Sequence, residues 1–415
     1  MLNIPDHDWQ VKASDPQTLT QLLGLREFQV VSAAYDAWSE RLLLNCEPTW
    51  EVAVCSVCQQ VSAHPHQYQR RLVRDLPLSG NRCYLEFDQR RFKCEHCRRP
   101  FSEVWEAIAP HARYTQRYGD YLFDACRDTS IQAVSQREQI GYKTVEGLFY
   151  RYAQAQDQAR AFHVVERLGL DEIALRKGHD AFVLVLSELG KGMVLTVLPE
   201  RTKEALEAYF DTWTPAQREA VTDVATDLWQ PYRLAVEAKL PNARLNADRF
   251  HVMKNLNEQV TTTRREIQRR APAAEKAQLK GARWLVVKNQ DNLSPPEKTK
   301  LDAMLARSPT LKTLHTLKEE FRAIFETAAD RTTASHALTE WISRVEAVAL
   351  QPLAKFVTTL RNWWDPILNY FTDHLTSGCV EGLNNKIKLI KRRAYGYRNF
   401  EHFRLRLIVE CSGAT

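Results

Sequence analysis

Two C-x-x-C pairs, Cys55/Cys58 and Cys94/Cys97, constrain this chain more than any other feature. A tight turn with two thiolates presents two soft ligands to one point. Two such turns complete a tetrahedron around a zinc ion and leave no position for water. The 35 residues between Cys58 and Cys94 leave room for a strand hairpin that brings the turns together. Strand-like runs lead toward the pairs, with β-compatible character over Trp38–Cys46 and partial alternation over Cys83–Cys94. Cys83 and His96 stand nearby as substitute ligands or bystanders. The cysteine count is nine, an odd number, and Met1 to Asp8 show no basic stretch followed by an apolar run. A disulfide framework and a secretory leader are therefore not expected. No apolar run approaches the roughly 18 residues of a membrane span. A cytoplasmic location follows as an expectation, with no membrane partner.

The second pair sits in a basic segment. Arg70, Arg71, Arg74, Arg82, Arg90, Arg91, Lys93, Arg98 and Arg99 face only Asp75, Glu86, Asp88 and Glu95. Cations on a metal-pinned turn suit DNA phosphates, and Arg90, Arg91, Arg98 and Arg99 are the nearest candidates. The whole chain, with 57 Lys+Arg against 51 Asp+Glu, permits nucleic-acid binding without requiring it. From Ala112 the pattern becomes helical. Ser130–Arg137, then Ile140-Gly141-Tyr142, then Lys143–Arg151 match a helix-turn-helix. Lys143, Thr144 and Glu146 would lead its recognition helix, and Lys143 and Thr144 are candidate DNA contacts.

Leu168–Ile173, Ala181–Leu186 and Met193–Leu198 predict three antiparallel strands, with a turn at Gly190-Lys191-Gly192. A helix (Lys203–Trp213), a strand (Ala220–Asp227), a helix (Leu228–Lys239) and a strand (Ala243–Ala247) follow. This is the element order of a ribonuclease-H-like fold, in which the first and fourth strands are neighbours. Asp171 and Asp227 would then share a pair of divalent ions, which require hard oxygen ligands. Asp227 is preferred to Asp223 because it ends its strand. Residues 252–376 predict a mostly helical insertion, with Leu301, Leu305, Leu314, Phe321 and Phe325 among its apolar positions. Glu381 is the third acid, on a helix with a cap-like start at Ser377 and an apolar face at Ile387 and Ile390. Asn385 and Lys388 share its face, and Lys388, Lys391, Arg392 and Arg393 supply candidate phosphate contacts.

By these residues the chain resembles the ISL-three family of insertion-sequence transposases, bacterial D-D-E enzymes. The resemblance rests on both cysteine turns, with Arg90-Arg91-Phe92 before the second and Phe101-Ser102-Glu103 after it. It rests further on Gly169-Leu170-Asp171-Glu172, Thr226-Asp227-Leu228-Trp229, Asp248-Arg249-Phe250-His251-Val252 and the stretch from Ser377-Gly378 to Tyr397-Arg398-Asn399-Phe400. It spans about residues 40 to 410. It implies Asp171, Asp227 and Glu381 as catalytic, magnesium-binding acids. It also implies structural zinc on Cys55, Cys58, Cys94 and Cys97, and a helix-turn-helix that helps read terminal inverted repeats.

The expected fold is α+β and multidomain. A zinc ribbon and helix-turn-helix precede a ribonuclease-H-like catalytic domain with a large α-helical insertion. The boundaries fall at 1–110, 111–160, 161–251, 252–376 and 377–415. The expected activity is Mg²⁺-dependent cleavage and strand transfer with two ions, with Mn²⁺ as the expected substitute. Partners are double-stranded transposon ends and target DNA, bound by a homodimer or larger assembly that joins the nucleoid on DNA. The alternative is a catalytically silent DNA-binding regulator derived from a transposase; a structure-specific nuclease or resolvase is a further rival. For His251 two readings stand, a phosphate-orienting or proton-shuttling group beside Asp248, or a structural histidine. Trp284, amid Arg264, Arg265, Arg269, Arg270, Lys280 and Lys288, is expected in the core rather than on a flipped base.

Overall fold

The computed structural model describes residues 15–160, 164–175, 182–272, 276, 282–348, 350–373 and 378–412, without the side chains of 282, 373 and 378–381. The chain divides into two units, Met1–Tyr152 and Ala153–Thr415.

In the first unit a helix, α1 (Pro16–Leu23), precedes strands β1 (Phe28–Asp36), β2 (Arg41–Pro48), β3 (Ala53–Val54), β4 (Val61–Ser62), β5 (Pro65–Arg74), β6 (Arg82–Lys93) and β7 (Pro100–Ser102). The main sheet runs β1-β2-β6-β5, with β7 on the end of β6, while β3 and β4 pair separately. Alternate residues of these strands bury Phe28, Val30, Leu44, Val73, Leu85 and Phe87 against Trp105 and Ile108. Trp38, expected in a strand, instead stands exposed in the β1–β2 turn.

Three helices follow: α2 (Gln116–Arg127), α3 (Ile131–Glu138) and α4 (Tyr142–Ala159). Ser130 caps α3 by accepting from the Ala133 N–H at 3.1 Å, and Gln139 ends it in the left-handed conformation. A short turn then starts α4, the helix-turn-helix pattern read from the sequence. Glu138 at the end of α3 is buried and ion-paired with Arg74 of β5 at 3.2 Å. It also accepts from the hydroxyls of Tyr118 (3.0 Å) and Tyr121 (2.8 Å). Glu138→Ala strands a buried guanidinium, so a loss of about 3–5 kcal/mol is expected. A denaturant titration checks this, and a loss below 1 kcal/mol would show that the pair is not what anchors α3.

The second unit holds β8 (Arg167–Ala174), β9 (Phe182–Glu188), β10 (Met193–Leu198), α5 (Lys203–Asp211), α6 (Pro215–Glu219), β11 (Asp223–Thr226), α7 (Gln230–Lys239) and β12 (Arg244–Ala247). Among the described residues nine α-helices complete it: α8 (Arg249–Arg270), α9 (Ala282–Val287), α10 (Pro295–Arg307), α11 (Pro309–Thr327), α12 (Arg331–Val348), α13 (Gln351–Asn362), α14 (Trp364–Asp373), α15 (Gly378–Arg393) and α16 (Phe400–Cys411). The strand order is β10-β9-β8-β11-β12. β8, β9 and β10 are antiparallel, whereas β8, β11 and β12 are parallel. Ser187 and Leu189 pack so close to Gly169 of β8 that a Cβ there would meet both at 2.6 Å.

Strand parity decides what covers each face. Leu168, Leu170, Leu184 and Leu186 face α5, α7 and the helices of 249–373, in one core that includes Phe321, Trp341, Phe356 and Phe371. Ile173, Val183, Val185, Val194 and Val197 face the opposite way, toward Leu383, Ile387 and Ile390 of α15 and Phe403 and Leu407 of α16. Of the expected apolar positions in the helical stretch, Leu301, Leu314, Phe321 and Phe325 are buried and Leu305 packs partly buried against the same core. No helix among the described residues is long and apolar enough to cross a membrane.

Candidate metal centre and active site

Each cysteine pair sits at the tip of a hairpin, the first between β3 and β4 and the second between β6 and β7. The two turns repeat one geometry. Gln59 N–H donates to the Cys55 carbonyl at 3.0 Å, and Arg98 N–H to the Cys94 carbonyl at 2.9 Å. Gln59 and Arg98, one residue past each pair, adopt φ of 61° and 62°. This left-handed residue swings the chain back and keeps both sulfurs on one side. All four Sγ atoms lie within 4.8 Å of one another, with Cys55–Cys97 at 3.8 Å and Cys58–Cys94 at 3.5 Å. Thiolates about 2.3 Å from a zinc ion in a tetrahedron stand about 3.8 Å apart, so the set fits the ion. The Cys97 N–H donates to Cys94 Sγ at 3.4 Å and helps hold its thiol down to about 6. Phe92 and Phe101, stacked at 5.5 Å, back the centre with Ala53. Cys83 belongs to the main sheet core and His96 is exposed, so neither joins the cluster.

The basic residues around the ribbon are not equivalent. Arg91, Arg98 and Arg99 are exposed. Arg90, expected among the phosphate contacts, is instead held inside the ribbon. Its guanidinium pairs with Glu103 at 2.7 Å and donates to the Trp50 and Glu51 carbonyls at 2.9 and 3.3 Å. On α4, Thr144 is exposed, as is Lys143, which pairs with Glu146 at 2.7 Å.

In the second unit the register aligns three acids. Val224 pairs with Leu168, Ala225 with Gly169, and Thr226 with Ala247. Continued onward, that register brings Asp171 of β8 level with Asp227, the residue after β11, and Asp248, the residue after β12. Burial pushes the Asp227 carboxyl up to about 6; His251 opposes this, and the charges of Glu172 and Asp171 add to it. Asp171 Oδ1 accepts from the Glu172 N–H at 2.8 Å, and His251 Nε2 stands 3.9 Å from it and 3.8 Å from Asp248 Oδ2. Asp248 also caps α8, accepting from the Phe250 N–H at 2.9 Å. Crowded carboxylates with one imidazole beside them suit a hard divalent cation. Asp223, at the other end of β11, is paired with Arg244 at 2.8 Å and bonded to Asn246, away from this cluster.

Asp171 has the parity of Ile173 and so faces α15. There Asn384 Nδ2 donates to Asp171 Oδ2 at 2.5 Å. The sequence pointed to Asn385 on the Glu381 face, but Asn385 is exposed and Asn384, three residues after Glu381, meets the acid. A three- or four-residue step equally well shares a helical face, and only the docking angle selects between them. Glu381 is in α15, but its side chain and the Ser377 cap lie outside the described residues. Lys391 donates to the Ala174 carbonyl at 2.6 Å and Arg393 pairs with Glu410, while Lys388 and Arg392 are exposed. Glu172 points the other way from Asp171, accepting from the Tyr232 hydroxyl and from Arg201, both at 2.8 Å. Trp284 is 69% exposed rather than buried, with Arg283 5.0 Å over its ring; Lys280 lies outside the described residues.

A family model described as a transposase matches residues 168–407, the whole acid-bearing region. The chain belongs to the ISL3 family of transposases. Two more models match this transposase: a zinc-finger of transposase IS204/IS1001/IS1096/IS1165 over 51–97, and a helix-turn-helix domain of transposase family ISL3 over 106–153. The transposase of insertion sequence element IS1001 from Bordetella parapertussis is 30% identical over 371 residues, covering 88% of this chain and 90% of the relative. That of element IS1557, in two strains of Mycobacterium tuberculosis, is 26% identical and covers 84% of each chain. The ISL3 transposase thus combines zinc-ribbon, helix-turn-helix and transposase domains of mixed α and β content.

Asn384→Ala in this transposase removes one bond to an ionised acid, worth about 1.5–3 kcal/mol. If Asp171 is an acid of DNA strand cleavage, a roughly 10- to 150-fold loss of cleavage with unchanged DNA binding is the expected result. Equal cleavage by the variant would show that the bond does not position Asp171.

Proposed function

We propose that this ISL3 transposase is a D-D-E enzyme that binds the terminal inverted repeats of its element and catalyses Mg²⁺-dependent strand cleavage and strand transfer. The observation that carries this reading is the β8–β11 register, which leads Asp171 and the Asp227 that follows β11 to one level, with α15 docked on Asp171 through Asn384. The strand order, three antiparallel then two parallel, supports a ribonuclease-H-like catalytic domain interrupted by the helices of 252–376. The expected boundaries at 110, 160, 251 and 376 are kept as the domain proposal.

Asp171, Asp227 and Glu381 would hold the two magnesium ions, with Asp248 beside them. When bound, the ions supply positive charge to the attacking and leaving oxygens of the phosphate. His251, 3.9 Å from Asp171 and 3.8 Å from Asp248, would hold a proton or orient the phosphate. Lys388 and Arg392 on α15, with Arg91, Arg98 and Arg99 on the ribbon, are the proposed phosphate contacts. Lys143 and Thr144 would reach bases from the recognition helix. Cutting two ends together calls for a dimer or larger assembly on DNA. The cytoplasm, with the nucleoid when DNA is bound, remains the proposed location.

The test is Mg²⁺-dependent cleavage of the element's own terminal DNA by wild type and by Glu381→Gln. Cutting by the wild type alone is expected. Wild-type protein that binds the ends but never cuts them, in Mg²⁺ or Mn²⁺, would put the silent regulator in its place.

A further inference from the structure

We infer that Arg201 and Trp229 form a nucleotide-binding subsite beside the acids, which takes the base next to the scissile phosphate on the indole and a neighbouring phosphate on the guanidinium. The inference rests on the proposed cleavage of DNA at Asp171 and Asp227. Trp229 follows Asp227 by two residues, in the loop between β11 and α7, and is 43% exposed. A tryptophan whose task is packing would be buried, as Trp213, Trp341 and Trp363 of the same unit are. Nor does its side chain cap α7. It leaves aromatic surface open at the end of the sheet where the acids stand.

The cation beside it is held in place. Arg201 leaves the end of β10, and its guanidinium lies 4.8 Å over the Phe182 ring and 5.8 Å over the Trp229 ring. Glu172 accepts from it at 2.8 Å, and the other Glu172 oxygen accepts from the buried Tyr232 hydroxyl. An arginine fixed in this way meets an anion without first losing its side-chain freedom. Topology makes the arrangement: β8, β10 and β11 point the same way, so Glu172, Arg201 and Trp229 emerge at the same end as Asp171 and Asp227. Asp171 and Glu172, adjacent in sequence, face opposite sides of the sheet, one toward α15 and one toward α7. A base stacked on an indole gains about 1–3 kcal/mol whatever its identity, and a bound arginine adds cation–π attraction. The ligand class is therefore an unpaired or unstacked nucleotide flanking the cut, held without sequence preference.

The experiment uses full-length protein and duplex terminal DNA carrying 2-aminopurine at each position flanking the cut, with Ca²⁺ in place of Mg²⁺. One position is expected to change fluorescence on binding by wild type and by Trp229→Phe but not by Trp229→Ala. An abasic residue at that position is expected to weaken wild-type binding roughly 5- to 150-fold and to leave Trp229→Ala unaffected. Arg201→Gln is expected to reduce the salt dependence of end binding by about one released ion. No responsive position in a wild-type protein that binds the ends, or equal abasic losses in wild type and Trp229→Ala, would overturn the stacking site. An unchanged salt slope would remove Arg201 from it. Because these signals need no cutting, a failure of the cleavage proposal leaves them readable, and intact cleavage with silent probes rejects the subsite alone.

Discussion

Asp227→Asn is expected to abolish end cleavage, by at least about a thousand-fold, or about 4 kcal/mol of barrier, while making the metal-free protein more stable at neutral pH. The stability effect follows from the sign of the shift. The Asp227 carboxyl titrates near 3.8 when unperturbed and is pushed up to about 6 in the fold by burial, with Glu172 and Asp171 adding like charge. A group whose proton is held more tightly by the folded state contributes stability below the lower value. That contribution is lost as pH rises through the higher one. At pH 7.5 the ionised, crowded carboxylate therefore works against the fold, by at most about 3 kcal/mol for a displacement of this size. Asparagine keeps the shape and removes the charge. The melting temperature should rise at pH 7.5 and change little at pH 4, measured with chelator present. A variant that still cuts removes Asp227 from the site, and equal melting at both pH values removes the claim of a crowded charge.

The second large effect belongs to the ribbon. Cys94→Ser, or extraction of zinc by a strong chelator, is expected to unfold both hairpin tips and to weaken end binding first. Among the described residues only Ala53, Phe92 and Phe101 lie with the cysteines in that small core, far too little apolar surface to order two turns alone. In zinc-finger peptides the bound ion contributes about 10–16 kcal/mol. The left-handed residues Gln59 and Arg98 add local strain that the ion would hold in place. Zinc release measured against folding, together with a binding titration on terminal DNA, tests this. End binding that survives complete zinc loss would remove the ribbon from recognition and leave it a structural element.

Local pattern carried much of this architecture. The paired cysteines fall on hairpin tips because a C-x-x-C turn is short enough to be specified by its own residues. The five strands of the second sheet fall within a residue or two of the predicted runs except β11, which is shorter than Ala220–Asp227 by three residues at its start and one at its end, and α5 and α7 are each two residues shorter. The sequence preferred Asp227 to Asp223 for its place at the strand end; Asp223 is bound to Arg244 and Asn246 at the other end of β11.

What the chain alone determined, then, is periodicity, turn chemistry and the order of elements, since each depends on residues a few positions apart. Tertiary structure decided which neighbours meet. The alternation of β8 sends Asp171 to α15 and Glu172 to Tyr232, but the faces acquire partners only when helices dock from positions 60 and 213 residues away. The choice of Asn384 over Asn385 depends on one docking angle. Arg90 became internal because Glu103 and two carbonyls converge on it, and Trp284 stayed outside because α9 turns its other face, Leu285 and Val286, to the core. Such outcomes are sums of contacts between distant segments, and no window of sequence contains them.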